Sequence, residues 1–586
     1  MARRLRRIGA LTLVVAALAA CTGGESGGSA TGSRSAAATA STTEVSGGTV
    51  RILAQEPVET WDPQRLVDRH DAAMADRLFL RTLTAYAPVD ERGHSQLVGD
   101  LATTAGTASA DLRSWTYTLR EDARWEDGSP VTCADVAFGV ARTFAAEVAR
   151  TGANDAVALL AIPRNPDGTS TYAGPYATGD AAAQGQAAFD AAVVCDGNTV
   201  TFNLALPVVD WGAILSQPGL APVKVGQDPR DAPLRAFSNG PYQLDGPWDP
   251  QAGGTFVRNP SWVAQADPVR RAYPDRIEYV IGASAGEVTQ DVLGDTDTGR
   301  NAVSVTPLAV PLRQQVDRQA DLVARSINPG TGLVDYLAPN VKRPVMANPS
   351  ARLALALATD RAAYVTALGG AVAASPTRSL IPSSLTAAHE VDPVGSDLSG
   401  DVAKAREAIA ESGLTLPVPI TVAYRGGDAA DRALAALTRS WNAAGFETQL
   451  VALDDSYFTQ ASTIEASQTY DVFWSTWAPT WDSGSTVLQA LFDPTLNLSE
   501  TSTGRDLGSY SNEEITAEMA TIGIDPDPAT RELAWADIDT RLLGDVAYIG
   551  LAERRTMFVA GSGIRNLAAH PFAGGDVDLG IIAVAP

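Results

Sequence analysis

The chain has few of the residues on which metal and nucleic-acid chemistry depend. Its 586 residues include 3 cysteines and 4 histidines, and the histidines are scattered at positions 70, 94, 389 and 570, which does not favour a dedicated metal site. Lysine and arginine number 44 against 68 acidic residues, for a net charge of −24. Because phosphate binding needs a basic face, this balance excludes nucleic acid as a partner.

The sequence also lacks the common catalytic motifs. It contains no Gly-x-Ser-x-Gly elbow, no P-loop and no His-Glu-x-x-His, and in so acidic a chain a pair of carboxylates is no evidence for hydrolase chemistry. Beyond the N-terminus no apolar run is long enough to span a bilayer. The length predicts two or three lobes, since one hydrophobic core stops growing near roughly 250–300 residues. We therefore expect neither an enzyme nor a cofactor.

The N-terminus resembles a lipoprotein signal. Four arginines between positions 3 and 7 precede an apolar segment at 8–17, and Leu18-Ala19-Ala20-Cys21 resembles a lipobox. This predicts a signal peptide at 1–20 and acylation of Cys21, which would anchor the protein to the outer face of the cytoplasmic membrane. The alternative is a plain secretory signal with a chance cysteine. Residues 22–48 are small and polar and predict a flexible tether of roughly 30 Å.

Two further cysteines remain, Cys133 and Cys195. An even pair in an exported chain predicts a disulfide, because that compartment is oxidising. The alternative of two buried free thiols stays open, since a bridge requires a Cα separation that spacing along the chain does not supply.

Residues 115–142, WTYTLREDARWEDGSPVTCADVAFGVAR, predict a strand, a turn and a helix. The first residues alternate as in a half-buried strand, and Asp127-Gly128-Ser129-Pro130 is a turn. Thr132 is placed as the helix N-cap, with Asp135 completing a capping box. Val136, Val140 and Phe144 then recur along one helical face.

The same stretch resembles the family 5 extracellular solute-binding proteins, the peptide- and nickel-type receptors of ABC importers. The resemblance is carried by a tryptophan-led strand ending in Leu119-Arg120, then Asp127-Gly128-x-Pro130-Val131-Thr132 and Asp135-Val136. Trp61-Asp62-Pro63 is similar to the Leu-Asp-Pro near the family's ligand mouth, and 336–340 and 349–361 resemble its entry into a third domain.

The resemblance implies an α/β, two-lobed, periplasmic-binding-protein-like fold with an extra third domain, mixed sheets and a hinge between the lobes. Domain I is expected at 49–85, 196–330 and 560–586, domain II at 86–195, and domain III at 331–559. The expected protein is a monomer that closes on a peptide or peptide-like solute and delivers it to the ABC permease subunits in the membrane, with no cofactor or catalytic residue of its own.

Candidate ligand-binding residues follow from the resemblance and from local chemistry. A mouth loop at 67–71, ahead of a helix predicted at 72–82, offers Asp68, Arg69 and His70 for ligand contacts, and the alternative is a solvated charged loop. Three tryptophans between 474 and 481 suit a cleft that closes around a solute. The full set of expected ligand contacts is Asp68, Arg69, Tyr336, Asn340, Trp477, Thr480, Trp481 and Asp482.

Position 480 bears on the kind of solute. In peptide-binding members of the family, an aspartate in this loop pairs with the ligand's α-ammonium group, and by position it falls on Thr480. A neutral threonine favours a buried ammonium less than a carboxylate does. Asp482 stands two residues further on and is the alternative partner. The resemblance therefore implies membership of the family, whereas the neutral Thr480 makes free peptides a less favourable class of ligand.

Two other classes of function remain as alternatives. One is a sensor or adaptor that binds a peptide or lipid signal without importing it. The other is an extracellular hydrolase, which no motif in the sequence supports.

Overall fold

A computed structural model describes residues 46–90, 93–148, 155–282, 284–573 and 575–585. The predicted signal peptide, Cys21 and nearly all of the tether lie outside the described residues. Within them, no helix has the length and apolar character needed to cross a membrane.

Among the described residues, strands longer than six residues occur only in the second half of the chain. In chain order they are β1 Thr49–Ala54, β2 Thr84–Tyr86, β3 Leu97–Gly99, β4 Thr107–Ala108, β5 Ser114–Thr118, β6 Val193–Asp196, β7 Thr199–Asn203, β8 Tyr242–Leu244, β9 Gly253–Arg258, β10 Arg276–Ile281, β11 Ala302–Ser304, β12 Ser326–Ile327, β13 Gly330–Pro339, β14 Ala374–Pro376, β15 Val418–Arg425, β16 Phe446–Leu453, β17 Val472–Trp477, β18 Ile549–Arg555, β19 Phe558–Val559, β20 Ile564–Arg565, β21 Ala569–His570, β22 Asp576–Val577 and β23 Ala583–Val584.

The helices alternate with these strands. They are α1 Arg69–Leu78, α2 Cys133–Arg142, α3 Asp155–Leu159, α4 Asp180–Ala192, α5 Trp211–Ile214, α6 Ala285–Leu293, α7 Val310–Asp317, α8 Ala320–Val323, α9 Pro344–Ala347, α10 Pro349–Ala358, α11 Arg361–Leu368, α12 Val402–Glu411, α13 Asp428–Ala444, α14 Tyr457–Ala461, α15 Ile464–Thr469, α16 Leu488–Phe492, α17 Pro494–Asn497, α18 Glu513–Ile522 and α19 Pro528–Gly544.

The first lobe contains two larger sheets besides several two-stranded ones. One is five-stranded in the order β11-β1-β10-β9-β8, with β1 parallel to both neighbours and β9 antiparallel to β10. Its core is rich in aromatic side chains, and the ring of Trp61 lies 5.3 Å from that of Phe79 and 4.9 Å from that of Trp248. The second sheet is four-stranded in the order β4-β5-β7-β6 and has a separate core.

The predicted strand-turn-helix belongs to this four-stranded sheet. Strand β5 is followed by a turn in which Gly128 has a φ of +82°, and α2 begins after Thr132. The hydroxyl of Thr132 accepts from the Asp135 N–H and the Asp135 carboxylate accepts from the Thr132 N–H, so the predicted capping box is confirmed.

The predicted disulfide is also confirmed. Cys133 at the start of α2 is bonded to Cys195 in β6, with the Cα atoms 5.8 Å apart. Strand β6 continues through the turn at Gly197 into β7, which pairs with β5. The four-stranded sheet therefore extends beyond residue 195, where the sequence prediction ends domain II.

The second lobe is built on a six-stranded mixed sheet in the order β14-β18-β13-β17-β15-β16. Strand β15 is parallel to β16 and β17, whereas β13 is antiparallel to β17 and β18. Helices cover the sheet, and the largest buried side chains of its core include Trp441 and Trp535. This fold is the two-lobed α/β arrangement that the resemblance implies.

The chain passes between the lobes twice, and the two passages lie side by side. Strand β12 precedes the second lobe and β19 follows it, and the two pair antiparallel, with Ser326 opposite Val559 and Ile327 opposite Phe558. A single two-stranded ladder therefore joins the lobes, which is the geometry of a hinge.

Helix α1 differs from its predicted range of 72–82. It begins at Arg69 because the Asp68 carboxylate caps it, accepting from the backbone N–H groups of His70 at 2.9 Å and Asp71 at 3.1 Å. It ends at Leu78, and the buried Arg81 beyond it donates from Nε to Asp100 at 2.7 Å. The earlier start brings Arg69 into the first turn.

Candidate functional site

A cavity of about 500 Å³ lies where the loop after β17 faces the first lobe. This is within the usual range for a site that encloses a small organic ligand. Its first-lobe wall comes mainly from the mouth loop and α1, from the segment at 216–220 that follows α5, and from the C-terminal segment. The lining residues fall at 63–64, 66–69, 72–73, 76–77, 85–86, 143, 216–220, 478–480, 570 and 572–573.

The Trp61-Asp62-Pro63 turn supports this wall from behind. The Asp62 carboxylate is fully buried and accepts from the Arg142 guanidinium at 2.8 Å and 2.6 Å. Arg142 comes from α2 and also donates to the side chain of Gln64. A two-pronged arginine–carboxylate pair is geometrically specific, so it holds the mouth loop against α2 and places Pro63 and Gln64 at the cavity.

Asp68 and Arg69 both line the cavity and are exposed. One oxygen of Asp68 is engaged in the helix cap described above. The Arg69 guanidinium has no hydrogen bond or ion pair to any residue that the structure describes. Arg69 therefore presents an unpaired guanidinium to the cavity. The second carboxylate oxygen of Asp68 beside it accepts no hydrogen bond from any described residue.

The other ionic groups of the wall are paired. Asp76 lies 3.0 Å from Arg270 and 3.5 Å from Arg77. Arg77 also donates twice to the Tyr86 carbonyl at 3.2 Å. Because these charges neutralise one another, they contribute polarity to the cavity rather than net charge.

The second lobe contributes Ala478, Pro479 and Thr480 to the lining. These residues directly follow β17, and Thr480 is exposed. Trp477 itself does not line the cavity: its indole N–H donates to the Thr486 carbonyl at 2.8 Å, and the Arg505 guanidinium lies 5.2 Å from its ring. Position 480 thus reaches the cavity with a hydroxyl and no charge.

Trp481 and Asp482 turn away from the lining towards other partners. The Trp481 ring packs against the core of the four-stranded sheet, and its N–H donates to Asp210 at 3.0 Å. The Asp482 carboxylate accepts from the backbone N–H and the hydroxyl of Thr386, each at 2.7 Å. Burial raises the pKa of Asp482 above its ordinary value.

Tyr336 and Asn340 lie in the interior of the second lobe. Tyr336 is 2% exposed and sits on β13 opposite Ser475. Asn340 is fully buried, and its amide donates to the carbonyls of Ser467 at 2.7 Å and Tyr470 at 2.9 Å. The structure therefore does not bring these two predicted contacts to the cavity; both have packing and chain-linking roles.

The C-terminal segment supplies two lining residues that sequence reasoning did not place in the site. His570 is buried and shares a hydrogen bond of 3.0 Å with the Ala87 carbonyl, and burial lowers its pKa to about 3. Its ring is therefore neutral at physiological pH. Phe572 packs against Tyr86 with the ring centroids 4.2 Å apart. The pairing of β21 with β22 brings this segment back to the mouth, and no spacing in the sequence signals it.

No group of three or more histidine, cysteine, aspartate or glutamate side chains in the described part of the chain could hold a metal ion. The arrangement offers instead a partly apolar enclosure with a few polar groups at its wall, which is suited to holding an organic solute.

A solute-sized cavity faced by two hinged lobes is typical of the solute-binding proteins. The chain belongs to the bacterial extracellular solute-binding proteins, family 5, whose middle region matches residues 96–498.

Relatives agree with this assignment. The chain is 25% identical over 343 residues to the lipoprotein ML0489 of Mycobacterium leprae, covering 58% of this chain and 57% of that protein. It is 25% identical over 349 residues to the periplasmic oligopeptide-binding protein OppA of Salmonella typhimurium, covering 56% and 58%. The chain thus matches just over half the length of these curated relatives.

Solved structures match over nearly the whole length. The clavulanic acid biosynthesis oligopeptide binding protein 2 superimposes with a TM-score of 0.80 at 26% identity, covering 93% of this chain and 96% of that one. The unliganded open form of the murein tripeptide-binding protein MppA superimposes with a TM-score of 0.71 at 17% identity, covering 92% and 97%. The second likeness concerns the fold alone.

Proposed function

We propose that this protein is the extracytoplasmic receptor of an ABC importer. It binds a peptide or peptide-like solute between its two lobes and delivers it, as a monomer, to permease subunits in the membrane. Acylation of Cys21 anchors it to the outer face of the cytoplasmic membrane. Membership of family 5, the peptide-binding names of several relatives and the lipoprotein relative from Mycobacterium leprae support this proposal. The receptor needs no catalytic group, because transport is driven by the importer's ATPase.

The preferred solute lacks a free α-ammonium group. The observation that carries this step is Thr480, a neutral side chain on the second-lobe wall of the cavity. A buried ammonium requires a charged or fully hydrogen-bonded partner, and Asp482 is engaged with Thr386. Asp76 is neutralised by two arginines, and Asp68, the remaining carboxylate of the lining, is exposed and stands beside the Arg69 guanidinium. Blocked, cyclic or non-peptide solutes fit this wall better than simple peptides do.

The proposed direct contacts are Asp68 and Arg69 from the first lobe and Thr480 from the second, because these three expected residues line the cavity. Trp477, Trp481 and Asp482 act indirectly by holding the loop that carries Thr480. Tyr336 and Asn340 act through the sheet behind it.

Two measurements test this function. Mass spectrometry of solute retained by natively purified protein identifies the ligand directly. Titration calorimetry then compares free and N-acetylated tripeptides on the wild type and on Asp482→Asn. We expect acetylated peptides to bind at least as tightly as free ones, because a missing charge-assisted hydrogen bond costs free peptides about 1.5–3 kcal/mol, or roughly one to two decades in affinity.

The contrary result is equally clear. Tight binding of free peptides that both N-acetylation and Asp482→Asn abolish would mean that Asp482 is the amine partner and that the ligand class is wrong.

A further inference from the structure

The loop from Ala478 to Thr486 is fixed firmly to the second lobe. The Gly484 N–H donates to the Glu532 carboxylate on α19 at 3.0 Å. A Cβ at Gly484 would lie 2.4 Å from the Cβ of Trp535, so only glycine allows this close approach to the helix. The bonds from Thr386 to Asp482 hold the middle of the loop.

The same loop is also bonded to the first lobe, at Asp210 just before α5. One oxygen of Asp210 accepts from the Trp481 indole N–H at 3.0 Å and from the Ser485 hydroxyl at 3.2 Å. The other oxygen lies 3.4 Å from the guanidinium of Arg531 on α19. The Asp210 and Arg531 side chains are only 12% and 8% exposed, so this contact between the lobes is largely shielded from water.

A second bond lies beside it. The backbone N–H of Asp482 donates to the hydroxyl of Tyr86 at 3.0 Å, and Tyr86 itself lines the cavity. The segment that presents Thr480 is thus held from both lobes, by bonds that involve no ligand atom.

We propose that Asp210 is an interlobe latch: its carboxylate binds Trp481, Ser485 and Arg531 when the lobes close, and this positions the loop that carries Thr480 at the cavity. The inference rests on the proposed function, since a latch acts on a binding protein that opens and closes. Asp210 is a positioning residue, because it touches the loop and not the solute. The latch lets the lobes close without ligand and slows the release of a bound solute.

Closure at this point also gathers acidic groups. Around Glu532 stand Arg531 on its own helix, Asp482 on the loop and Asp210 on the first lobe, while His94 of the first lobe faces Asp482. Arg531 lies 3.4 Å from Asp210 and 3.3 Å from Glu532, and Asp482 adds a third carboxylate close to Glu532. Burial raises the pKa of Glu532 to about 7. Opening rehydrates the cluster and removes Asp210, which lowers that pKa, so closing takes up a proton.

The sign of the pH effect follows. A carboxyl group whose pKa is higher in the closed form favours closure at low pH, and this advantage is lost as the pH rises towards 7. The closing equilibrium constant should therefore be larger at pH 6 than at pH 8.

The experiment uses the ligand-free protein, so that its outcome does not depend on knowing the solute. Small-angle X-ray scattering between pH 5.5 and 8 measures the fractions of closed and open forms. Asp210→Asn is compared with Asp231→Asn, a matched change at a side chain that is 91% exposed. We expect Asp210→Asn to lower the closing constant by roughly tenfold to a hundredfold, the value of a charge-assisted hydrogen bond, and Asp231→Asn to leave it unchanged.

Two further variants keep the test decisive. Trp481→Phe removes one donor to Asp210 and keeps the ring, so it should open the protein in the same direction by a smaller factor. Glu532→Gln keeps an acceptor for the Gly484 N–H and should remove the pH dependence without opening the protein at pH 8.

Wild-type protein that scatters as the open form at every pH, or an Asp210→Asn variant that matches wild type, overturns the latch. A pH dependence that survives in Glu532→Gln overturns the proton step. Neither scattering result depends on which solute binds. The proposed function is tested separately, by the calorimetry of free and acetylated peptides.

Discussion

The carboxylate of Asp482 accepts two hydrogen bonds from Thr386, each 2.7 Å long. Both residues belong to the second lobe, and the pairing occupies both carboxylate oxygens. Asp482 therefore acts as a fixed point of the loop that presents Thr480, and a ligand amine would have to compete with Thr386 for it.

Replacing Thr480 should change the ligand class. In Thr480→Asp, a carboxylate stands at the cavity wall, and we expect tripeptides with free N-termini to gain about 1.5–3 kcal/mol of binding free energy. Thr480→Asn is the matched control, with similar size and no charge. Calorimetry that finds equal gains in both variants would show that charge at this position is irrelevant.

Arg69 should select ligands that carry an anionic group. Its guanidinium lines the cavity without a partner among the described residues. Arg69→Gln should therefore reduce the binding free energy of carboxylate-bearing ligands by about 1.5–3 kcal/mol and leave the binding of their amidated forms unchanged. Asp68→Asn is a useful companion, because asparagine also caps helices and removes only the charge. Equal losses for acid and amide ligands would contradict a direct ionic contact.

The buried pair of Asp62 and Arg142 should be important for stability. Asp62→Ala leaves a fully buried guanidinium with its main partner missing, and we expect the free energy of unfolding to fall by about 3–5 kcal/mol. Denaturant unfolding measures this loss. The double variant Asp62→Ala/Arg142→Met should recover a large part of this loss. If its loss of unfolding free energy equals the sum of the losses of the two single variants, Asp62 and Arg142 are not coupled.

The disulfide should stabilise the four-stranded sheet. It joins residues 62 apart, and closing a loop of that length is worth about 4 kcal/mol in the chain-entropy description. We expect the Cys133→Ser/Cys195→Ser variant to lose about that much free energy of unfolding. It should therefore unfold at a lower denaturant concentration than the oxidised wild type. If the reduced wild type and the double variant both unfold where the oxidised protein does, the bridge contributes nothing to stability.

The lipid anchor is tested by Cys21→Ser. Because the thiol is the acylation site in the predicted lipobox, the variant should leave the membrane fraction or accumulate as an unprocessed precursor. Metabolic labelling with a fatty acid and fractionation measure both outcomes. A variant that still incorporates the label would disprove acylation at this residue.

Local chemistry in the sequence determined much of the first lobe. The Thr132–Asp135 capping box, the hairpin turn at Gly197 and the alternation of β5 all depend on residues within a few positions of one another, so their patterns predict them directly. Helix α1 started earlier than predicted for an equally local reason, since Asp68 is a good N-cap that the apolar periodicity alone did not reveal. The two-lobed fold was predicted from the resemblance to the family.

The composition of the cavity was decided only by the tertiary structure. Residues 63–77, 478–480 and 570–573 are distant along the chain and meet because β-strand pairing and the hinge bring them together. The same pairing buries Tyr336 and Asn340, and it places His570 at the wall and Asp210 against Trp481. A sequence pattern specifies which side of a strand or helix is apolar. It does not specify which distant segment that side will meet, because that depends on the packing of all elements at once.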